Sequence, residues 1–375
     1  MSRNRAMALL AAAALVLTSA ACSDDGGADA SVSDTGAPGT TAPEAPCPGT
    51  EVGSLPTEVE VPEDGPYGGD GPDPTPIGVA AGPDGTVFVN LAYSVYCIDD
   101  DTLFEVATPE TTPLPDGAEE SSYADIAVSA DGNPLVADRQ NPRVFEIEDE
   151  TATIVPGSDD PAIGGSRSIE AGPDGTIYVT GLDQSGSTGV YAIADGEARP
   201  YAGGGELGVA GDGGPATASY LAEPEGLHLD PDGNLYIADR NNARIAVVAP
   251  DGTIDTLVGG EFFDDRPDSD ALGGPEDVAI DPAGVVHVID GDGDPSGLWR
   301  VEDDGTTTPL SGDVSDCTLF LSASEPERCA IDQVDLGGVF RLAFDADGTL
   351  WMTQDAELLR AVDGEVEVAV EFTLA

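Results

Sequence analysis

"GLHLDPDGNLYIADRNNARIAVV", residues 226–248, decides the fold. It holds a His, Asp, Arg and Asn residues that suit an active site. It also has the build of a scaffold unit: a short apolar strand, a turn ending in Asp-Gly, and two β-rich strands. Its recurrence settles the choice. "GVAAGPDGTVFVN" (78–90), "DIAVSADGNPLVA" (125–137), "SIEAGPDGTIYVT" (168–180), "GLHLDPDGNLYIA" (226–238), "DVAIDPAGVVHVI" (277–289) and "RLAFDADGTLWMT" (341–353) align without a gap. Asp-Gly between apolar runs is a tight-hairpin signal; the fifth copy has Ala283-Gly284 instead.

Each copy continues with a third strand, such as "RVFEIE" or "RIAVVA", and a fourth, such as "TIDTLVG". Units of four short strands repeating every 43 to 64 residues are the signature of propeller blades. The expectation is an all-β, six-bladed β-propeller of four-stranded blades over 77–375. No long amphipathic helix pattern competes with it.

The segments before it are of another kind. Arg3 and Arg5 precede an apolar run, Ala6–Ala21, and then Cys22. This reads as an export signal, too short for a stable membrane span. Ser19-Ala20-Ala21-Cys22 resembles a bacterial lipobox, with Ser19 where that pattern prefers Leu, Val or Ile. The resemblance implies a signal peptide over 1–21, a lipidated Cys22 and a protein anchored on the outer face of the cytoplasmic membrane. Residues 22–46 are polar and rich in Pro and Gly, and read as a disordered acidic tether. Residues 47–76 include "EVGSLPTEVEVP", either an added edge strand or a loose segment.

An exported chain with four further cysteines points to disulfides. Cys317 and Cys329 lie close together, which favours their pairing. Cys47 and Cys97 then remain, and would staple the N-terminal segment to the propeller.

The chain carries 13 Arg, no Lys and 72 acidic residues, for a net charge of −59. Such a surface repels phosphate backbones, so nucleic acid is excluded as a partner. Contact with the membrane is expected through the lipid alone, and the chain is expected to be a monomer.

"AGGGELGVAGDGGPATASYLAEPEGLHLDPDGNLYIADRNNARIAVVAPDGTIDTLVGG" (202–260) resembles a bacterial NHL repeat with its Gly-rich lead-in loop. "LVADRQNPRV" in the second unit echoes "YIADRNNARI". The resemblance implies an extracytoplasmic binding or sensing scaffold that recognises a protein, glycan or small ligand through its loops. Other six-bladed folds include gluconolactonase-like enzymes and amidating lyases, so the rival reading is a metal-dependent hydrolase or lyase with its site in the channel.

Asp239 and Arg244 recur as Asp138 and Arg143. A site occurs once, whereas this pair occurs twice, so it reads as a loop clamp. His287 stands where other units have an aromatic or Leu, and reads as part of a packed layer. His228 and Glu170 are different. Four units place Ala at their position. On adjacent blades the two would meet beside the channel as a pair able to shift protons. Glu225 and Glu276, just before the first strands, would join His228 around a cation. Asp290, Asp292 and Asp294 follow the 1-3-5 spacing of a calcium loop, but Pro295 replaces its Gly and Val301 its final Glu. No cofactor motif stands out beyond a divalent metal such as calcium.

Overall fold

Each blade grows from a hairpin whose geometry demands glycine. In the first blade the Gly82 N–H donates to the Thr86 carbonyl at 2.7 Å, and the Gly85 N–H to the Gly82 carbonyl at 3.1 Å. The fourth blade repeats this with Asp230, Gly233 and Asn234. The closing glycines, Gly85, Gly132, Gly175, Gly233, Gly284 and Gly348, all have φ between 82° and 92°. A Cβ is strained there. The fifth blade keeps Gly284 although Ala283 replaces the Asp, so glycine is the indispensable half of the signal.

The computed structural model describes residues 47–55, 57–61, 75–108, 111–115, 118, 121–182, 188–205, 211–260, 272–292, 296–311, 317, 319 and 328–374. The signal peptide, Cys22, the tether and Asp294 lie outside them. The chain forms six antiparallel blades, each with four strands of its own. The first strands are Gly78–Ala81, Tyr123–Val128, Ile169–Ala171, Pro224–Leu229, Pro275–Ile280 and Val339–Phe344. They neighbour one another in order, and the sixth neighbours the first, which closes a ring around a central channel.

The core is six apolar wedges, one at each junction between blades. Successive side chains of a strand face opposite sides of its sheet. In the second strand of blade 1, Val87 and Val89 therefore pack towards blade 6, whereas Phe88 packs towards blade 2. In blade 4, Leu235 and Ile237 face blade 3, and Ala238 faces blade 5. A strand covered on both sides has no polar face, and Pro134–Asp138 is buried at every position.

The N-terminal segment spans the junction of the last and first blades. Thr50–Ser54 lies antiparallel to Thr102–Ala107 on the outside of blade 1. Thr57–Val61 runs parallel to Glu365–Leu374 on the outside of blade 6. Val59 and Val61 are buried in the wedge between these blades. The expected disulfides are present, Cys47–Cys97 and Cys317–Cys329, with Cα separations of 5.7 and 5.9 Å.

Two of the long loops that join successive blades, 202–224 and 311–338, pack back onto blade edges in their described parts. In 202–224, Gly214–Pro215 pairs with Thr253 and Ile254 at the outer edge of blade 4. In 311–338, Cys329–Ala330 pairs with Glu365 and Val366 at the edge of blade 6. These described parts cap exposed strand edges, where unpaired backbone groups invite partners, rather than rising over the channel.

Candidate functional site

Six residues equivalent in the alignment, at or just before the first strands, form one column, Gly78, Asp125, Ser168, Gly226, Asp277 and Arg341, of which Asp125, Asp277 and Arg341 line the channel. Arg341 crosses it. From blade 6 its guanidinium donates to the Arg167 carbonyl of blade 3 at 2.8 Å, and its Nε lies 3.4 Å from Asp125 Oδ2 of blade 2. Asp125 also accepts the Ile169 N–H at 3.3 Å, and Asp277 accepts the Leu342 N–H at 2.7 Å. Each carboxylate thus links its own blade to the next. The glycines of the column make room for them: a Cβ on Gly226 would lie 1.9 Å from Asp277 Oδ1, and one on Gly78 2.5 Å from Asp125 Oδ1. Burial raises the pKa of both aspartates, that of Asp277 to about 7, against the opposing pull of Arg341.

Arg341 forms the inner end of a cavity of about 730 Å³. All six first strands line it, and it extends to the hairpins that follow them. Val79, Ile126, Ile169, Leu227, Leu229 and Phe344 give it apolar walls. Glu170 and His228 stand together on that wall, as expected, with His228 Nδ1 3.9 Å from Glu170 Oε2. That separation is too long for a hydrogen bond, so the pair remains available to a third group. Glu170 Oε1 accepts the Ala171 N–H at 2.8 Å. The side chains keep 24% and 28% of their surface exposed to the channel. Burial pushes Glu170 up to about 8 and His228 down to about 4. At neutral pH the carboxyl holds its proton and the imidazole is neutral.

Glu225 and Glu276 are not part of this cavity. They sit beyond the Arg341 crossing, each against an arginine. Arg167 pairs with Glu225, and also lies 3.8 Å from Glu223. Arg240 lies 3.4 Å from Glu276 and 3.3 Å from Asp292. A guanidinium therefore stands where a cation would sit. Asp290 is fully buried and accepts the backbone N–H groups of Gly273, Gly274 and Asp292. It braces the loop and is not free to ligate. Among the described residues no three His, Cys, Asp or Glu side chains gather to hold a metal ion. Of the donors expected for calcium, Asp290 braces its loop, Asp292 lies 3.3 Å from Arg240, and Asp294 falls outside the described residues.

The recurring Asp and Arg are clamps. Arg244 Nε donates to Asp239 Oδ2 at 2.8 Å, both side chains buried. In blade 2, Ser121 stands between the partners: it donates to Asp138 at 2.5 Å and accepts from Arg143 at 3.4 Å. His287 packs against Phe344, with ring centroids 4.9 Å apart, and its Nε2 lies 3.4 Å from Asp281 Oδ2. Tyr236 pairs with Asp230 and Trp351 with Asp345 in the same way. Blades with an Asp before the hairpin thus place a ring with a polar atom opposite it. The sequence carried a signal for both this pairing and the Arg341 column: residues at one alignment position that differ in charge from blade to blade.

Residues 221–248 match the NHL repeat. No curated protein matches the chain. Similar solved structures include an auxiliary nutrient binding protein from Bacteroides thetaiotaomicron, 12% identical with a TM-score of 0.53, the match covering 85% of this chain and 76% of that one. A protein of unknown function from the same organism is 15% identical with a TM-score of 0.53 at the same coverage. A gluconolactonase from Xanthomonas campestris is 13% identical with a TM-score of 0.51, covering 78% of this chain and 86% of that one. At these identities the likeness establishes the fold alone.

Proposed function

We propose that the protein is an exported binding propeller, anchored by lipid at Cys22 outside the cytoplasmic membrane, that takes a small organic ligand into its channel cavity. One observation carries the reading: the six first strands surround a cavity of about 730 Å³ whose apolar walls carry a few polar groups, the Glu170–His228 pair among them. Ligand pockets typically have that size and lining, roughly 300–1,000 Å³ with a few placed polar groups. Two disulfides support export. The ligand site lies at the hairpin end of the channel, away from the loops that join successive blades.

The test is a small-molecule thermal-shift screen of the protein beside Ala80→Phe, which fills the cavity, and Ala171→Leu, a milder filling. Ligands that stabilise the wild type are expected to lose their effect in both variants. Equal shifts in all three proteins would place binding elsewhere and overturn the reading.

A second reading has its own support. A protonated carboxyl beside a neutral imidazole can move a proton on a bound ligand, as a lyase or hydrolase requires. That role does not pass through a metal held by Glu225 and Glu276, since arginines engage both. Turnover lost in Glu170→Gln and in His228→Ala, with binding retained, would favour it.

A further inference from the structure

We infer that the ligand of this cavity is an organic monocation, whose ammonium head sits against Glu170 and His228 and whose apolar body fills the rest. The inference rests on the cavity being the ligand site. Five carboxyl groups line it, Asp125, Glu170, Asp277, Asp281 and Asp345, of which burial raises the pKa of Glu170 to about 8 and that of Asp277 to about 7, against a single guanidinium, that of Arg341. Arg341 is engaged with Asp125 and with the Arg167 carbonyl. Asp281 and Asp345 accept hydrogen bonds from backbone N–H groups and from His287 and Trp351. Burial keeps that histidine neutral, so neither charge is cancelled. Exposed Asp84, Asp131, Asp174, Asp232 and Asp347 on the adjoining hairpins add the same sign at the mouth. A mouth of one sign concentrates ions of the other and repels its own. Anionic ligands are disfavoured at every step of entry.

The inner wall narrows the class further. Ca²⁺ requires six to eight oxygens, and at the Glu170 wall the neighbours are Ile169, Leu227 and Leu229. An ammonium group has only donors and requires two or three acceptors. The Glu170 carboxylate and the neutral His228 imidazole supply acceptors 3.9 Å apart, and a hydrophobic body gains from the walls beyond them. Glu170 holds a proton when the cavity is empty, its pKa raised to about 8 by burial. An entering ammonium replaces that proton as the counter-charge, and the proton leaves to solvent. Uptake of one cation therefore releases up to one proton.

Calorimetric titration of the full chain at physiological salt tests this, with three matched sets of probes on phenyl, naphthyl and indole rings. Each set contains an amine, the corresponding alcohol and the corresponding carboxylate. In at least one set the amine is expected to bind tenfold or more tightly than the alcohol, with no binding of the carboxylate. Its affinity should rise from pH 6.5 to pH 8, with buffer-dependent heat reporting the released proton. Glu170→Gln should bring the amine down to the level of the alcohol, and Ala80→Phe should abolish both. Alcohols or carboxylates binding as well as amines, and lost in Ala80→Phe, would overturn the cation assignment while leaving the cavity as the site. Amine binding that survives Ala80→Phe would be attraction to the acidic surface, and would overturn the inference. An amine preference unchanged in Glu170→Gln would do so too. Failure of all nine probes to bind would remove the inference together with the reading it rests on.

Discussion

Glu170 and His228 oppose each other in the pH dependence of folding, which makes their protonation states measurable without a ligand. Glu170 has a folded pKa of about 8 against an ordinary 4.5. Between those values the folded state keeps a proton that the unfolded chain has lost, so stability falls as pH rises. His228 has a folded pKa of about 4 against 6.5. Between those values the unfolded chain binds a proton that the folded state refuses, so stability rises with pH. The two effects cancel from pH 4.5 to 6.5 and leave Glu170 alone above it. One pKa unit corresponds to about 1.4 kcal/mol, so urea unfolding should show a Glu170 contribution falling by about 2 kcal/mol from pH 6.5 to 8. Asp277, raised to about 7, adds to the fall below pH 7. Subtracting the Glu170→Gln profile isolates the first effect. Parallel profiles would mean that Glu170 ionises as an exposed carboxylate does, and that no buried proton is there to be displaced.

Within a blade, the hairpin and the strand alternation were legible from the sequence because both are local. The glycine at positive φ and the period-two apolar pattern act within about a dozen residues, and six copies repeat them. The Glu170–His228 pairing was legible too, because it required only that equivalent positions on adjacent blades lie at equal height. What the sequence did not disclose depends on contacts across the ring. Arg341 meets a carbonyl 174 residues away. Glu225 and Glu276 read as companions of His228, but a bulge enters the first strand beside each, between Pro224 and Leu227 and between Pro275 and Asp277. They stand on the far side of the Arg341 crossing, within reach of Arg167 and Arg240. Gly226 tests that column directly. An added methyl would lie 1.9 Å from Asp277 Oδ1 and 2.7 Å from its Cα, so Asp277 has to move, at the expense of its bond to the Leu342 N–H. Gly226→Ala should destabilise the protein by about 1–3 kcal/mol, the usual cost of overpacking. Gly53→Ala is the control, a strand glycine without positive φ whose added Cβ meets nothing nearer than Thr57 Oγ1 at 3.4 Å; it measures an added methyl without a clash. Urea unfolding of the two side by side gives the difference, and equal losses would mean that the crowding at Gly226 relaxes without cost.

At the scale of the molecule, the ring has to be closed against its own charge. A net charge of −59 favours expansion over compaction. Blade 6 supplies all four of its own strands, so the junction with blade 1 is not sealed by exchanging a strand, as it would be if one blade borrowed from both chain ends. The seal is the N-terminal segment laid over the outside. Thr50–Ser54 extends blade 1, Thr57–Val61 extends blade 6, and Val59 and Val61 enter the wedge between them. Leu55, directly after the first of these strands, donates its N–H to the Asp101 carbonyl. Thr50–Ser54 is mostly exposed, so it buries little apolar area of its own to stay docked. The Cys47–Cys97 disulfide supplies what that strand lacks, tying the start of the segment to the third strand of blade 1 across 50 residues of sequence. By chain entropy a loop of that length contributes about 4 kcal/mol. Cys47→Ser with Cys97→Ser should lower the unfolding free energy in urea by about that amount. Hydrogen exchange should quicken in Thr50–Ser54 and Thr57–Val61 before it does in the second strands of the blades. A loss well under 1 kcal/mol with protection unchanged would instead show that the two outer strands close the ring unaided, by the Val59 and Val61 wedge and their backbone pairing.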